Sequence, residues 1–288
     1  MTRNRIIRAS AINIRVHTKH DPSEYEVLWK LLYGLKRPTV RGTSGFMIGD
    51  VRKVVGRHGQ VRFAGHIYRF TNIDGTAPWF DINNHEEATE EDLARINIPE
   101  NLRPNLAEVP YIFDTESHRL YFKSGGYGDS ISPSLAMRML KNLFGANKVV
   151  NRFGDVDATI LVHSGALDSL LKWPEIRRIE VTIERPNPAE FDDEASYYEK
   201  LRARGLQREE VVYVKDRAAR TIAPDDEMRR LFSIASNNGK YSQVGINMNG
   251  ISDRASISNY PRVEAAEYDS DVQLEFDAFE ALTEKIGK

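Results

Sequence analysis

The feature that most constrains the fold is the order in which alternating and helical patterns follow one another. Stretches that alternate apolar and polar residues come mostly as neighbouring pairs, and single helical stretches separate them. In residues 9–17, for example, Ile12, Ile14 and Val16 share one face of a predicted strand. The chain has no regular strand–helix–strand alternation, which a doubly wound parallel sheet would need. The sequence therefore predicts an α+β fold with mixed, mostly antiparallel sheets and flanking single helices.

Local signals place several of these elements. Asp21 and Pro22 are typical of a helix start, with Asp as the cap and Pro in the first turn. Ser132 and Pro133 predict a second helix, which ends near Gly145. Alternation predicts strands at about 46–56 and 60–71, and a paired hairpin over 111–123. In the strand at 60–71 neither face is purely apolar, so we expect one face to be partly exposed.

A soft boundary divides the chain of 288 residues. Prolines cluster between residues 99 and 110, where no helical or strand pattern is continuous. We therefore expect two subdomains. The first is a basic α+β subdomain over residues 1–108, and the second is an α+β subdomain over residues 109–288 with an acidic C-terminal helix.

Charge is strongly segregated along the chain. Residues 1–70 contain 14 Lys or Arg and 4 Asp or Glu, a net charge of +10, whereas the whole chain carries −2. A concentrated basic surface is the usual electrostatic footprint of a polyanion partner. The alternative is that the acidic remainder of the chain folds back onto the basic part and neutralises it.

The polyanion interpretation predicts which side chains contact phosphate. They are the basic residues of the loop after the first helix and of the strands that follow it: Lys36, Arg37, Arg41, Lys53, Arg57, Arg62 and Arg69. Without a distinct recognition helix, contacts to DNA or RNA would be mainly to phosphate, and hence weakly sequence-specific and sensitive to salt. The aromatic residues Phe63 and Phe70 of the same region are expected in the core.

Several classes of chemistry are excluded or unsupported. The chain has no cysteine, which excludes disulfides, thiolate catalysis and cysteine-ligated metal sites. Its seven histidines are scattered, and no nucleotide-binding GxxxxGK[ST] motif occurs. We expect no metal and no cofactor. No apolar run is long enough to span a bilayer and no secretory signal pattern is present, so a cytoplasmic location is expected.

Two alternative functions remain open. A metal-dependent nuclease would need carboxylates around Mg²⁺, and the usable acids are Asp155, Asp157, Glu180 and Glu184. Against this, Thr182 stands where the frequent Glu-x-Lys pattern has lysine, and Asp155 and Asp157 lie where turn-forming Asp is ordinary. The other alternative is a protein-binding subunit of a defence or toxin–antitoxin system, whose basic face meets an acidic partner protein.

Stretches spread over nearly the whole chain resemble one known family. They are residues 97–105, 111–122, 132–144, 153–157, 183–188 and 238–241. Together they are similar to a bacterial family described as a domain of unknown function, number 4747. The resemblance implies a cytoplasmic bacterial protein of the sort found near mobile elements and phage-defence genes. The family brings no assigned active site to this chain.

A weaker likeness concerns only the order of elements. The strand pair at 111–123, the Pro-opened helix at 133–144 and the strands and charged segment that follow resemble phage-exclusion DNA-binding proteins of the Rex type. That likeness implies an α+β homodimer that binds duplex DNA with little sequence preference. The leading hypothesis is therefore a non-enzymatic, weakly sequence-specific DNA-binding protein in bacterial anti-phage defence.

Overall fold

The computed structural model describes residues 4–17, 21–56, 59–74, 77–125, 128–184 and 195–286. In chain order their elements are β1 (Asn4–Val16), α1 (Pro22–Gly34), β2 (Thr39–Arg41), β3 (Ser44–Ile48), β4 (Arg52–Val55), β5 (Val61–Thr71), β6 (Phe80–Asp81), β7 (Glu86–Glu87), α2 (Glu90–Ala94), β8 (Ala107–Asp114), β9 (Arg119–Lys123), α3 (Pro133–Phe144), α4 (Asn147–Phe153), β10 (Val156–Ile160), α5 (Ala166–Leu171), β11 (Glu175–Glu184), α6 (Ala195–Ala203), β12 (Arg208–Val214), α7 (Asp226–Asn238), β13 (Gly239–Ile246), β14 (Ser252–Ser256), β15 (Glu264–Asp269) and α8 (Glu275–Ile286).

A nine-stranded sheet organises the molecule. Its strands run in the order β10-β1-β9-β8-β5-β3-β2, with β15 paired to the first half of β1 and β4 paired to the start of β5. Every pair that the ladders define is antiparallel, and the sheet curls into a half-barrel. The predicted α+β class with mainly antiparallel sheets is confirmed.

Both faces of this sheet are covered near its centre. On one face α1, α3 and α4 pack against the apolar residues of the strands, and Trp29 of α1 stacks on Phe113 with ring centroids 4.5 Å apart. On the other face α8 packs against β1, β15 and β8, and Phe279 is fully buried there. Because β1 is covered on both sides, its predicted apolar face is buried, and so are the polar residues Asn13 and Arg15 between them.

The helix starts follow the predicted local chemistry. The Asp21 side chain accepts a hydrogen bond from the backbone N–H of Ser23, and Pro22 begins α1. Ser132 caps α3 in the same way through the N–H of Leu135, and Pro133 is the first helical residue. No helix in the described ranges is long and apolar enough to cross a membrane.

A second, four-stranded sheet has the order β12-β11-β13-β14. One of its faces packs on α5 and α7, where Phe232 and Tyr241 are fully buried with ring centroids 5.1 Å apart. The opposite face is open, and the side chains of Val212 and Val214 remain exposed. The charged segment before β12 forms helix α6, whereas residues 208–210 already belong to strand β12, because pairing with β11 overrides local helix preference there.

The expected subdomain boundary falls inside the large sheet. Residue 108 lies within β8, and β8 pairs with β5 through eight consecutive residue pairs from Arg62 with Asp114 to Arg69 with Ala107. Strands from both sides of the boundary also meet where β1 pairs with β9, β10 and β15. The large sheet therefore joins the two expected subdomains through backbone hydrogen bonds.

Candidate nucleic-acid interface

The structure removes Arg62 from the set of surface cations. Its side chain is 10 % exposed, and its Nε donates to Asp114 Oδ2 at 2.8 Å. Nη1 lies 4.0 Å from Glu280 Oε1 on α8. Arg62 is therefore not available for the phosphate contact expected from the sequence. Helix α8 covers the face of β5 from which this side chain projects, and two carboxylates neutralise its charge.

Lys53 and Arg69 are engaged as well. Lys53 Nζ donates to both carboxylate oxygens of Glu26, at 3.0 and 3.1 Å, although its side chain stays half exposed. Hydrogen bonds from Lys30 and then from Lys53 lower the pKa of Glu26. Arg69 is half-buried and donates through Nη1 to the carbonyl oxygen of Gly128 at 3.1 Å. Arg57 lies outside the described residues.

Lys36, Arg37 and Arg41 remain as one group, which we call the basic loop (residues 36–41). All three side chains are exposed, and none makes an ion pair with a described carboxylate. The loop leaves the end of α1 and enters β2, the edge strand of the large sheet. Lys36 takes a left-handed backbone conformation, with φ of +47°. The structure thus brings together three of the seven predicted residues and separates the other described ones.

Beside the basic loop the large sheet has an uncovered face. Tyr68 and Phe70 project from β5 on the same side as Ala64, where α8 covers the sheet further along. Phe63 is buried as expected, but Phe70 is only half-buried, so its expected place in the core is wrong. The physical reason is the period of the strand: Phe63 and Phe70 are seven residues apart and face opposite sides. The prediction of one partly exposed face for this strand is confirmed.

Two glycines of the β3 region lie under the two rings. A Cβ atom on Gly45 would come within 2.1 Å of Phe70 Cε2, and one on Gly49 would come within 2.4 to 2.5 Å of Tyr68 Cγ, Cδ1 and Cδ2. The near-equal distances to three Tyr68 ring atoms place that glycine under the face of the ring. Both rings therefore lie flat against the sheet. This arrangement is possible only because glycine, which has no side chain, occupies the position beneath each ring.

The rings form the floor of an open groove of about 420 Å³. One wall contains Lys36, Pro38 and Val40, and the other belongs to the segment 100–106. Backbone contacts fix this second wall, because Thr71 N–H donates to the Pro104 carbonyl at 2.9 Å. Arg103 lies in the same wall, and its Nη1 donates to the carbonyls of Glu100 and Leu102 at 2.8 and 2.7 Å.

Acidic residues also lie near the groove. Glu100 contributes to its wall, and Glu108 is paired opposite Tyr68 in the sheet. Burial raises the pKa of the Tyr68 hydroxyl, and the carboxylates of Asp50 and Glu108 raise it further. The phenol is therefore neutral at all physiological pH values. In the lining itself the cations Lys36 and Arg103 outnumber the one carboxylate, Glu100. Arg37 and Arg41 of the basic loop and Asp50 and Glu108 beside Tyr68 add two charges of each sign nearby.

The acids of the nuclease alternative are found at a different place. Asp155, Asp157 and Glu184 line one cleft of about 360 Å³ where β10 meets β11, together with Lys141 and Arg208. Glu180 is four residues away along β11 and is held by Arg178 and Arg254, each at 2.7 Å. The structure therefore brings three of the four acids together and separates the fourth.

Most of the charge in this cleft is already paired. Arg15 is fully buried and its Nη2 lies 2.6 Å from Glu184 Oε2, while Lys240 Nζ lies 3.6 Å from Oε1 of the same carboxylate. His17 Nε2 lies 2.7 Å from Asp157 Oδ2, and this contact is the main cause that lowers the pKa of Asp157. Among the described residues no group of three or more His, Asp or Glu is arranged to hold a metal ion.

A comparison with protein families matches residues 5–284 to the model of the domain of unknown function DUF4747. The chain belongs to this family. The DUF4747 match covers both sheets, so the two sheets are parts of one family unit. This match gives no support to the likeness to proteins of the Rex type. No curated protein matches the chain.

Sequence reasoning missed the aromatic floor of the groove in this DUF4747 chain. Alternation places Tyr68 on a face of its strand but gives it no role, and nothing local singles out Arg103 or the two glycines. A partial signal exists, because glycines at positions 45 and 49 and aromatic residues at positions 68 and 70 occur in neighbouring predicted strands. Gly45 is paired directly with Phe70, whereas the residue paired with Tyr68 is Met47 and Gly49 lies diagonally under the Tyr68 ring. Both placements depend on the register of β3 against β5, which local patterns do not define.

Proposed function

We propose that this protein binds nucleic acid, DNA in the first place, through the basic loop and with little sequence preference. The observation that carries the proposal is the state of Lys36, Arg37 and Arg41. They lie within six residues of the chain, their side chains are exposed, and no described carboxylate pairs with them. Unpaired exposed cations in a short segment are suited to phosphate, since contact releases counterions from the nucleic acid.

The same features support weak sequence preference. The basic loop joins a helix to an edge strand, and no described helix presents its N-terminal residues from this region as a recognition element. Contacts from a loop of this kind go to the sugar–phosphate backbone, which fixes position and carries no base sequence. Affinity should therefore fall steeply as salt rises.

The test is a fluorescence anisotropy titration of a duplex of 30 base pairs, its single strand and the matching RNA at several salt concentrations. The triple variant Lys36→Ala/Arg37→Ala/Arg41→Ala should lower the slope of log affinity against log salt by up to about 2.7, at about 0.9 for each phosphate that is no longer neutralised. The matched control is Arg52→Ala/Lys53→Ala, which removes two nearby exposed cations that lie beside Asp50 and Glu26. Equal slopes in the triple variant and the wild type would contradict the proposal.

The wider context of this activity is a separate proposal, because the family match brings no assigned function. We propose a cytoplasmic bacterial protein that acts in anti-phage defence as a homodimer, alone or with a defence-system partner protein. Phage plating on cells that express the wild type or the triple variant tests the first part. Protection that survives in the triple variant would separate defence from nucleic-acid binding, and sedimentation equilibrium measures the oligomeric state.

One observation favours the nuclease as a second candidate: Asp155, Asp157 and Glu184 share a cleft. The ion pairs from His17, Arg15 and Lys240 count against it, because carboxylates held by fixed cations are poor ligands for Mg²⁺. The test is cleavage of a labelled duplex and RNA with Mg²⁺ or Mn²⁺. Cleavage that disappears in Asp157→Ala and persists in Asp168→Ala would support this candidate, and no cleavage with either metal would remove it.

A further inference from the structure

The floor of the groove is built to expose aromatic faces. Because a glycine lies beneath each ring, Tyr68 and Phe70 lie along the sheet and turn one face outward to the groove. Both side chains remain half-buried, although neighbouring strands place an apolar core on the other side of the sheet. Flat rings with one open face are the arrangement on which nucleic-acid bases stack.

The spacing of the two rings limits what can stack there. Side chains two residues apart on a strand are separated by roughly 6.6 Å, because a strand rises about 3.3 Å per residue. Bases placed on both rings are therefore spread apart and do not stack on each other. A single strand can adopt this arrangement, whereas the bases of a duplex are paired and enclosed within the helix.

The walls supply the charge that a single strand needs. Lys36 lies in one wall and Arg103 in the other, and neither makes an ion pair with a described carboxylate. Val40, Met47 and Leu106 add apolar surface to the lining, and Glu100 with Asn72 and Asn101 adds polar atoms. A groove with an aromatic floor and a cation on each side matches stacked bases flanked by phosphates.

We propose that this groove binds a single-stranded segment of nucleic acid, with bases stacked on Tyr68 and Phe70 and phosphates beside Lys36 and Arg103. The proposal rests on the proposed function and deepens it, because it names the form of nucleic acid that the site prefers. Arg37 and Arg41 extend the phosphate path around the edge of the sheet. Since the rings stack on any base, sequence preference stays weak.

The experiment compares single-stranded oligo-dT and oligo-rU of 12 nucleotides with a duplex of the same length, by anisotropy. The variant Tyr68→Leu/Phe70→Leu removes both rings and keeps apolar side chains. It should weaken single-strand binding by about 5- to 150-fold for each ring removed, as stacking free energies imply. The salt slope should not change, because every phosphate-binding cation is retained. Duplex binding should change by less than twofold.

Three controls make the result specific. Tyr68→Phe keeps the ring and should bind as the wild type does. Phe80→Leu removes an exposed ring outside the groove and should also have no effect. Gly49→Ala keeps both rings but pushes Tyr68 off the sheet, since the new Cβ would lie 2.4 Å from its ring atoms, and should weaken single-strand binding. Thermal unfolding of each variant verifies that it is folded.

The outcomes separate the two proposals. If the double Leu variant binds single strands as tightly as the wild type while the basic-loop triple variant does not, this inference fails and the proposed function survives. If no probe binds at low salt, both fail. If the wild type self-associates in sedimentation equilibrium and the double Leu variant does not, the groove holds a second copy of the chain, and the inference is overturned.

Discussion

At the scale of single residues, Lys36 combines a charge at the candidate site with an unfavourable backbone conformation. It follows the last turn of α1, where its N–H bonds to the Tyr33 carbonyl at 3.2 Å, and its φ is +47°. Glycine is the usual residue at this position after a helix, because a Cβ atom disfavours the left-handed region. Lysine at this position therefore lowers the stability of the fold, but its charged side chain is well placed to contact a phosphate.

The first prediction follows from this conflict. Lys36→Gly should keep or raise the free energy of unfolding, by up to about 1 kcal/mol, because relief of the left-handed conformation exceeds the added freedom of the unfolded chain. The same variant should lower the slope of log affinity for duplex DNA against log salt by about 0.9. Urea unfolding and anisotropy measure the two effects. His85→Gly, also at positive φ (+58°), is the matched control and should leave binding unchanged. A destabilised Lys36→Gly variant with normal binding would refute the argument.

The second prediction concerns the buried pair of Arg62 and Asp114. Arg62→Ala leaves the Asp114 carboxylate buried with its main cation removed, which should cost about 3–5 kcal/mol of folding stability. Its salt slope of binding should equal that of the wild type. Arg52→Ala, which removes an exposed partner 3.8 Å from Asp50, should cost less than about 1 kcal/mol. Similar small losses in both variants, measured by urea unfolding, would show that the pair does not stabilise the fold.

At the scale of elements, the polar face of β1 connects the two sheets. Arg15 and His17 are alternate residues of this region, and they pair with Glu184 of β11 and Asp157 of β10. Arg15 also donates to Thr159 Oγ1 at 2.8 Å. Of these contacts, the pair of Arg15 and Glu184 joins the two sheets, whereas the contacts to Asp157 and Thr159 link the β1 region to its neighbour β10 within the large sheet. The cleft that contains the nuclease candidates is thus a junction of ion pairs whose first effect is to hold strands together.

The third prediction is a pH dependence at this junction. The hydrogen bond from His17 holds the pKa of Asp157 below its ordinary value, with smaller contributions from Arg15 and Lys240. The unfolded state therefore takes up a proton first as the pH falls. The stabilisation is present above about pH 4 and is lost as the pH falls through the lower pKa of the folded state.

Urea unfolding between pH 3 and pH 5.5 checks this dependence. The difference in unfolding free energy between the wild type and Asp157→Asn should shrink as the pH is lowered over this range. Asp155→Asn is the matched control, because Asp155 is exposed and makes no ion pair among the described residues. A difference that is constant with pH would show that the His17 contact does not perturb Asp157.

The elements that sequence could predict are those with local signals. The caps Asp21 and Ser132 and the prolines after them locate α1 and α3, since capping needs only neighbouring residues. The pairing of β15 with β1 joins residues more than 250 positions apart and leaves no local mark. For the same reason the sequence could not show that Arg62 lies under α8, or that Phe70 lies over Gly45.

At the scale of the whole molecule, the positive charge concentrated in residues 1–70 is partly neutralised by ion pairs and partly left exposed. Part of the excess on residues 1–70 is neutralised by acids from distant segments, as with Arg15 and Glu184 or Arg62 and Asp114. This is the folding back of acidic segments that the sequence left open as an alternative. The basic loop keeps its charge and lies beside an open aromatic groove. The total charge of −2 therefore conceals one surface that remains suited to a polyanion.

The most direct test of this account is the hydrogen-exchange footprint of a bound 12-nucleotide single strand on the wild-type protein. The account predicts that amides of residues 35–41, of β3 and of segment 100–106 exchange more slowly in the complex, and that residues 155–157 and β11 are unchanged. Protection centred on Asp155, Asp157 and Glu184, with none at the basic loop, would contradict it and move the site to the cleft between the two sheets.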